Sequence, residues 1–394
     1  MVVVAAFGLA TACTAGPILQ APAAASPSAV RSSQPAPTTS PPTPTSPAPG
    51  TAASTFLAWT AGGLPNGFAA AAARLPGVER ATAVMSGTAW LTRSTSAGGA
   101  VIDQPPAGLA IPVEVAGADL ATYLPFTPQA DRRVLSAIAR GEAVLGRTEA
   151  ELRRARAGGA LWFGPRRVRI AGVVADTVIG GHELLVSRPL AASLGLLRDR
   201  YLLLQVRRAT AEAGLTAALQ HLIPGVALRV RRQGETPYLR QADAVLPPVI
   251  LKRAFGEFAA RPLAGGSLAM DPRWVRVQIV NASVPILGTV RCNRVIIPTL
   301  QGVLHDLVRR GLAGLIHPND YGGCFSSRFI RGSSSAISTH TWGAAIDINV
   351  SQNRFGGQPH QDPRVVAAFA RWGFTWGGRW LIPDGMHFEY KHPA

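Results

Sequence analysis

Two short stretches near the C-terminus constrain this chain more than any other part of it. The first reads Ser338-Thr-His340-Thr-Trp-Gly343-Ala-Ala345-Ile-Asp347-Ile-Asn349, and the second Asp384-Gly-Met-His387-Phe-Glu389. Successive side chains of an extended strand leave on opposite faces. If Ala344 to Val350 is extended, Ile346, Ile348 and Val350 go to a core while Ala345, Asp347 and Asn349 project the other way. The second stretch divides alike, Met386, Phe388 and Tyr390 against His387 and Glu389. Gly343 permits a tight turn that returns His340 over the strand. Two such strands side by side converge His340, Asp347 and His387 on one point. Three protein ligands with a fourth position open are the catalytic form of a zinc site.

The residues around these stretches read as scaffold. Val249 to Ala260 is expected to be a short helix and Trp274 to Val280 a strand. Pro298 opens a helix that places Leu300, Val303, Leu304, Leu307 and Val308 on one face, and Gly311 stops it. Asp362-Pro363 starts another, with Asp362 as cap, burying Val365, Val366 and Phe369 and ending near Gly373. Cys292 and Cys324 form no C-x-x-C pair and make poor zinc ligands. In an oxidising exterior they are expected to form a disulfide that ties the start of the Pro298 helix to the loop carrying Arg328. His182, His221, His305, His317, His360 and His392 read as ordinary surface or core residues. Trp342, Trp376 and Trp380 read as core rather than groove.

The pattern Ser338-x-His340-x-x-Gly343-x-Ala345-x-Asp347, followed by Asp384-x-x-His387, resembles the zinc D-alanyl-D-alanine metallopeptidases, the VanX/VanY and phage-endolysin family. "VPILGTVRCNR", "YGGCFSSR", "HTWGAAIDIN", "RWGFTWGG" and "PDGMHFE" resemble its VanY-type branch in order and spacing. The resemblance covers residues 245–394. It implies that His340, Asp347 and His387 bind zinc, that Asp384 is the general base, that Arg328 polarises the scissile carbonyl, and that Ser338 contacts substrate. Arg331, three residues on, could serve in place of Arg328. The VanX branch has Glu where this chain has the shorter Asp384, which leaves the base to be decided between Asp384 and Glu389. The implied activity is hydrolysis of peptidoglycan stem peptides, with D-alanyl-D-alanine carboxypeptidase first. L-Ala-D-Glu or cross-link endopeptidase, or an inactive wall-peptide-binding lipoprotein, are the alternatives.

Upstream, residues 56–240 alternate strand-like and helical runs, so the fold class expected for the whole is α+β, with a small antiparallel sheet flanked by helices in the domain at 244–394. Strands are expected at Arg80 to Met85, Ala110 to Val115, Ala143 to Gly146, Arg167 to Val174, Glu183 to Ser187, Tyr201 to Val206 and Val226 to Arg231. Helices are expected at Asp131 to Ala139, capped by Asp131, at Thr148 to Ala157, with Thr148 and Glu151 in capping-box spacing, and at Thr210 to Leu222. No cluster of His, Cys or paired carboxylates is visible here, so this half reads as an independent binding or positioning module. Its run "GEAVLGRTEAELRRARAGGALWFGPRRVRIAGVVAD" resembles the extracytoplasmic domain of MacB- and FtsX-type permeases.

Residues 14–55 are Pro, Ala, Ser and Thr with almost no charge, a composition expected to stay an extended, disordered tether. The apolar run Val2 to Ala12 ends at Cys13. Small residues before that cysteine resemble a lipoprotein signal over residues 1–13, with Cys13 acylated, although Ala10 stands where Leu is usual and no Lys or Arg precedes the run. The formal net charge of +17 rests almost wholly on arginine, since Lys252 and Lys391 are the only lysines. With no zinc finger, ribonucleoprotein motif or basic heptad region beside it, nucleic acid is not the expected partner. An exported protein at a bacterial envelope, tethered to the membrane through Cys13 and facing an anionic cell wall, is the expected setting.

Overall fold

Alternating Val, Ile and Leu runs in the first half pair into one large sheet. The structure is a computed structural model that describes residues 53–207, 212–244 and 246–391. The strands are β1 (Ser54–Thr60), β2 (Val78–Leu91), β3 (Arg93–Thr95), β4 (Val101–Asp103), β5 (Ile111–Ala118), β6 (Ala143–Gly146), β7 (Ala160–Phe163), β8 (Arg166–Val174), β9 (Leu184–Ser187), β10 (Asp199–Val206) and β11 (Leu228–Arg232). They run in the order β11-β1-β10-β2-β5-β9-β6-β8-β7-β3-β4. The β5–β9 and β6–β8 pairs are parallel. Alternation along β9 sends Leu184 and Val186 to one apolar cluster and Leu185 to another, so both faces are covered.

The second half has its own apolar cluster, built on Leu300, Val303, Leu304 and Leu307 of the helix Ile297–Arg309 and Val365, Ala368 and Phe369 of the helix Pro363–Arg371. Against it lie β12 (Ala260–Pro262) paired with β13 (Leu268–Met270), the hairpin of β14 (Ile279–Val284) and β15 (Gly288–Asn293), and a three-stranded antiparallel sheet. That sheet orders β16 (Ala345–Asp347), β18 (His387–Tyr390) and β17 (Phe374–Trp376), with β18 in the centre. The molecule is thus a mixed α+β fold with a small antiparallel sheet near the C-terminus. Among the described residues no helix is long and apolar enough to cross a membrane.

Several local expectations are corrected by the structure. The segment at Trp274 is not a strand: Pro272–Gln278 is helical, because Asp271 accepts a hydrogen bond from the Arg273 amide at 2.8 Å and Pro272 occupies the first turn. The strand begins only at Ile279. The same Asp-Pro start occurs at Asp362-Pro363, where the Asp362 cap is present. The helix Pro248–Phe255 stops at Gly256, so Ala260 belongs to a strand rather than to that helix. Thr148 does not cap its helix, which is Arg147–Leu152. Its amide and hydroxyl instead donate to the two oxygens of Asp176 at 3.0 and 2.6 Å, a cap supplied from elsewhere in the fold. Asp131 makes no side-chain cap to the short helix Arg132–Leu135. β1 begins at Ser54, inside the stretch expected to be tether. Residues 1–52, which hold the expected signal at 1–13 and nearly all of the expected tether, His392 and the start of the helix expected at Thr210 lie outside the described residues.

The two halves are not independent, and the first does hold clustered carboxylates. Glu149 and Glu183 meet Glu257 of the second half with carboxylate oxygens within 4.8 Å of one another. Arg153 bonds Glu149 at 3.0 Å and pairs with Glu257, and Lys252 reaches Glu183 at 2.5 Å. Burial pushes the Glu183 carboxyl up against the pull of Lys252. Sequence reasoning missed this cluster because its members are far apart in the chain.

Candidate metal centre

The β16–β18 pairing sets Asp347 opposite His387, and Ala345 opposite Glu389. Ile346, Ile348 and Phe388 point into the core at 0% exposure, as alternation requires. The extended run ends sooner than expected. Asn349 has φ 53°, and Val350 enters a 3-10 turn half-buried rather than continuing into the core. Tertiary contacts hold Asn349 in this conformation: its side chain accepts from the His317 amide at 2.9 Å and donates to Leu315 O at 2.9 Å. His340 lies in the 3-10 turn Thr339–Trp342, which ends at Gly343 with φ 65°. A Cβ at Gly343 would stand 2.6 Å from the Asn293 amide nitrogen, so glycine is required by both conformation and space.

The three side chains expected to hold metal meet. His340 Nε2 and His387 Nδ1 are 3.0 Å apart, and each lies 3.1 Å from Asp347 Oδ1. All three residues are buried. The orientation of each ring is fixed from behind. His340 Nδ1 donates to the Cys324 carbonyl at 2.7 Å, which leaves the Nε2 lone pair facing Asp347. His387 Nε2 lies 3.6 Å from Glu389 and 3.5 Å from Thr339 Oγ1, which leaves Nδ1 facing inward. Glu389 therefore stands behind the ligand, on the far side of the ring from Asp347. Cys324 is disulfide-bonded to Cys292, which pins the loop that supplies this carbonyl.

The charges of the three groups are strongly coupled. Burial raises the Asp347 carboxyl, but the charges and hydrogen bonds of His340 and His387 outweigh it and hold it well below the carboxylate range. Burial pulls the His387 imidazolium down, yet Asp347 and Glu389 lift it to about 10. The donor set fits zinc: two imidazole nitrogens and a carboxylate oxygen lie close enough for one ion to reach all three at roughly 2.0 to 2.2 Å.

Asp384 flanks this group. Burial pushes its carboxyl up, the nearby Asp347 adds to that, and His387, His340 and Arg328 oppose it. Its Oδ1 is buried and has no hydrogen-bond partner in the protein. A buried carboxylate oxygen without a protein partner beside His340, Asp347 and His387 can chemically accept a proton. Arg328 acts electrostatically on Asp384, whereas the exposed Arg331 lies over the Phe355 ring at 5.8 Å. Ser338 is buried, and its hydroxyl accepts from the His340 amide at 3.4 Å, capping the turn that carries the ligand.

Other neighbours escaped the sequence reading. Trp380 packs its ring 5.0 Å from His387 rather than joining the core, while Trp342 is core. Trp376 Nε1 donates to Gly385 O at 2.8 Å. Tyr321 has a buried hydroxyl without a partner, and burial together with Asp347 pushes it up to about 12. Nothing in the local sequence marks Tyr321 or Trp380 as neighbours of these residues.

Residues 331–390 match the family model described as D-alanyl-D-alanine carboxypeptidase. That stretch contains His340, Asp347, Asp384 and His387, and is shorter than the 245–394 over which the sequence resemblance runs. Among solved structures, the chain is similar to the periplasmic region of MacB from Actinobacillus actinomycetemcomitans, with 12% identity over 46% of this chain and 90% of that one, at a TM-score of 0.31. It is also similar to the extracellular domain of the noncanonic ABC-type transporter YknZ from Gram-positive bacteria, with 12% identity over 45% and 99% of the two chains, at a TM-score of 0.30. No curated protein matches the chain.

Proposed function

We propose that this chain is a zinc metallopeptidase of the bacterial cell wall that removes the terminal D-alanine from peptidoglycan stem peptides. The observation that carries the reading is the buried His340, Asp347 and His387 triangle with the unpaired Asp384 oxygen beside it. The family match at 331–390 supports a hydrolase of this type.

His340 Nε2, Asp347 Oδ1 and His387 Nδ1 would hold the ion. Bound zinc supplies Lewis acidity and brings the pKa of water to about 7. Asp384 accepts the proton of the attacking water and passes it to the leaving amine, a role matched to its raised pKa. Arg328 stabilises the negative charge that develops on the scissile carbonyl oxygen. Glu389 and the Cys324 carbonyl hold the two imidazoles in their ligating tautomers. Anchorage through Cys13, export, and attraction of the arginine-rich surface to an anionic wall belong to the same proposal.

Incubating the zinc-loaded chain with a pentapeptide-bearing muropeptide, followed by mass spectrometry, tests it. Loss of one alanine is the expected product. Cleavage within the stem or at a cross-link would reassign the bond to an endopeptidase, and intact substrate in the presence of stoichiometric zinc would leave a wall-peptide-binding protein.

A further inference from the structure

Two loops flank the metal centre, and each is held by the other half of the molecule. The first is the hairpin between Arg328 and Ser338, closed by the Phe329–Ile337 bridge. Its Ser335 carbonyl accepts two hydrogen bonds from Thr88 of β2, from the amide at 3.0 Å and the hydroxyl at 2.7 Å. Backbone and hairpin touch here: a Cβ at the neighbouring Gly87 would stand 3.2 Å from Ser335 Cβ. The base of the hairpin is anchored separately, since the Arg328 amide and carbonyl both bond Thr341 Oγ1. Only its tip depends on Thr88.

The second loop runs from Gly377 to Asp384 and carries Trp380 and the proposed base. Arg229 of β11 donates to the Arg379 carbonyl at 3.0 Å, and the Leu381 amide donates to Asp243 Oδ2 at 2.6 Å. Asp243 is itself bonded by Arg231 at 2.6 Å and by Arg229. Leu381 packs into an apolar cluster of the first half. The metal ligands, by contrast, sit on β16, β18 and the turn at Thr339–Trp342, all within the second half.

We propose that the N-terminal half is a positioning frame for the active site: Thr88 sets the hairpin wall, Arg229 with Asp243 sets the wall that carries Asp384, and the metal triangle needs neither. This rests on the proposed peptidase reading. It makes these three residues positioning residues, which act through the loops they hold.

The test uses the full chain, zinc-loaded, with hydrogen exchange read by mass spectrometry. Thr88→Val should speed exchange in 330–336, and Arg229→Met in 377–384, each by about fivefold, the worth of one hydrogen bond. Zinc should remain at one per chain in both, and Thr88→Ser should restore the slow exchange. In kinetics, Thr88→Val should raise KM with kcat retained, whereas Arg229→Met should lower kcat because its wall carries the base. Unchanged exchange in the two loops, or Thr88→Ser behaving like Thr88→Val, would overturn the frame. The exchange comparison needs no substrate, so a wild-type chain that cleaves no muropeptide defeats the peptidase reading while this comparison still decides on the frame.

Discussion

His340 presents Nε2 and His387 presents Nδ1 to the same point, 3.0 Å apart, because each ring's other nitrogen is engaged from behind. This asymmetry predicts two grades of metal loss. His387→Ala should leave the chain essentially without zinc. Glu389→Gln keeps every ligand but removes the charge behind His387, and should weaken zinc by about 10- to 100-fold in a chelator competition. Equal affinity for Glu389→Gln and wild type would deny Glu389 its orienting role.

Asp384→Asn separates binding from chemistry. The residue is not among the three converging ligands, so zinc content should be unchanged. Turnover should fall by about 10²- to 10⁴-fold, the usual contribution of a general base. A variant that turns over like wild type would move the base elsewhere.

The Cys292–Cys324 bond closes a sequence separation of 32 residues. By loop-entropy arithmetic it contributes about 3 to 4 kcal/mol. Replacing both by serine should lower the unfolding midpoint accordingly and loosen the Cys324 carbonyl that orients His340. Counting free thiols on the native chain checks the bond directly, and two reactive thiols among these positions would contradict it.

His182 gives the fold an acid-side slope. Burial pulls its imidazolium down to about 4, Arg240 adding to this and Glu114 opposing it, while Nδ1 contacts the Ile179 carbonyl at 2.8 Å. The folded pKa lies below the unfolded value of about 6.5, so the neutral ring stabilises the fold fully above that pH. The contribution is lost as pH falls from about 6.5 toward 4. Between pH 6 and 5 the wild type should lose about 1 kcal/mol more than His182→Asn, measured by urea unfolding.

Lys252 pairs with Glu183 where the two halves meet, both side chains being essentially inaccessible. Lys252→Met would leave a buried carboxylate without its cation and should cost about 3 to 5 kcal/mol. Lys252→Met together with Glu183→Gln should recover part of that loss. Thermal unfolding of the single and double variants measures the difference, and additive losses would show that the pair is not coupled.

Strand alternation at Ile346, Asp347 and Ile348, the turn at Gly343, and the helices started at Pro298 and Asp362-Pro363 were legible in the sequence, because each is dictated by residues within a few positions of one another. The convergence of His340, Asp347 and His387 was legible too, once two short strands were set side by side. Other features were masked in the sequence or had no local signature. Asp271-Pro272 overrode the strand-like Trp274 segment through a cap that the sequence contained but its β-rich tail masked. Asp176 capped the Thr148 helix from another element, and the choice of ring nitrogen in His340 and His387 was made by the Cys324 carbonyl and Glu389. Glu149, Glu183 and Glu257 became neighbours, and Thr88 reached Ser335 across a separation of 247 residues, only through folding. Periodicity and capping are short-range, so the sequence by itself determined which residues could be ligands. Orientation, charge compensation and the walls of the site depend on groups distant in the chain, and only the tertiary structure decided those.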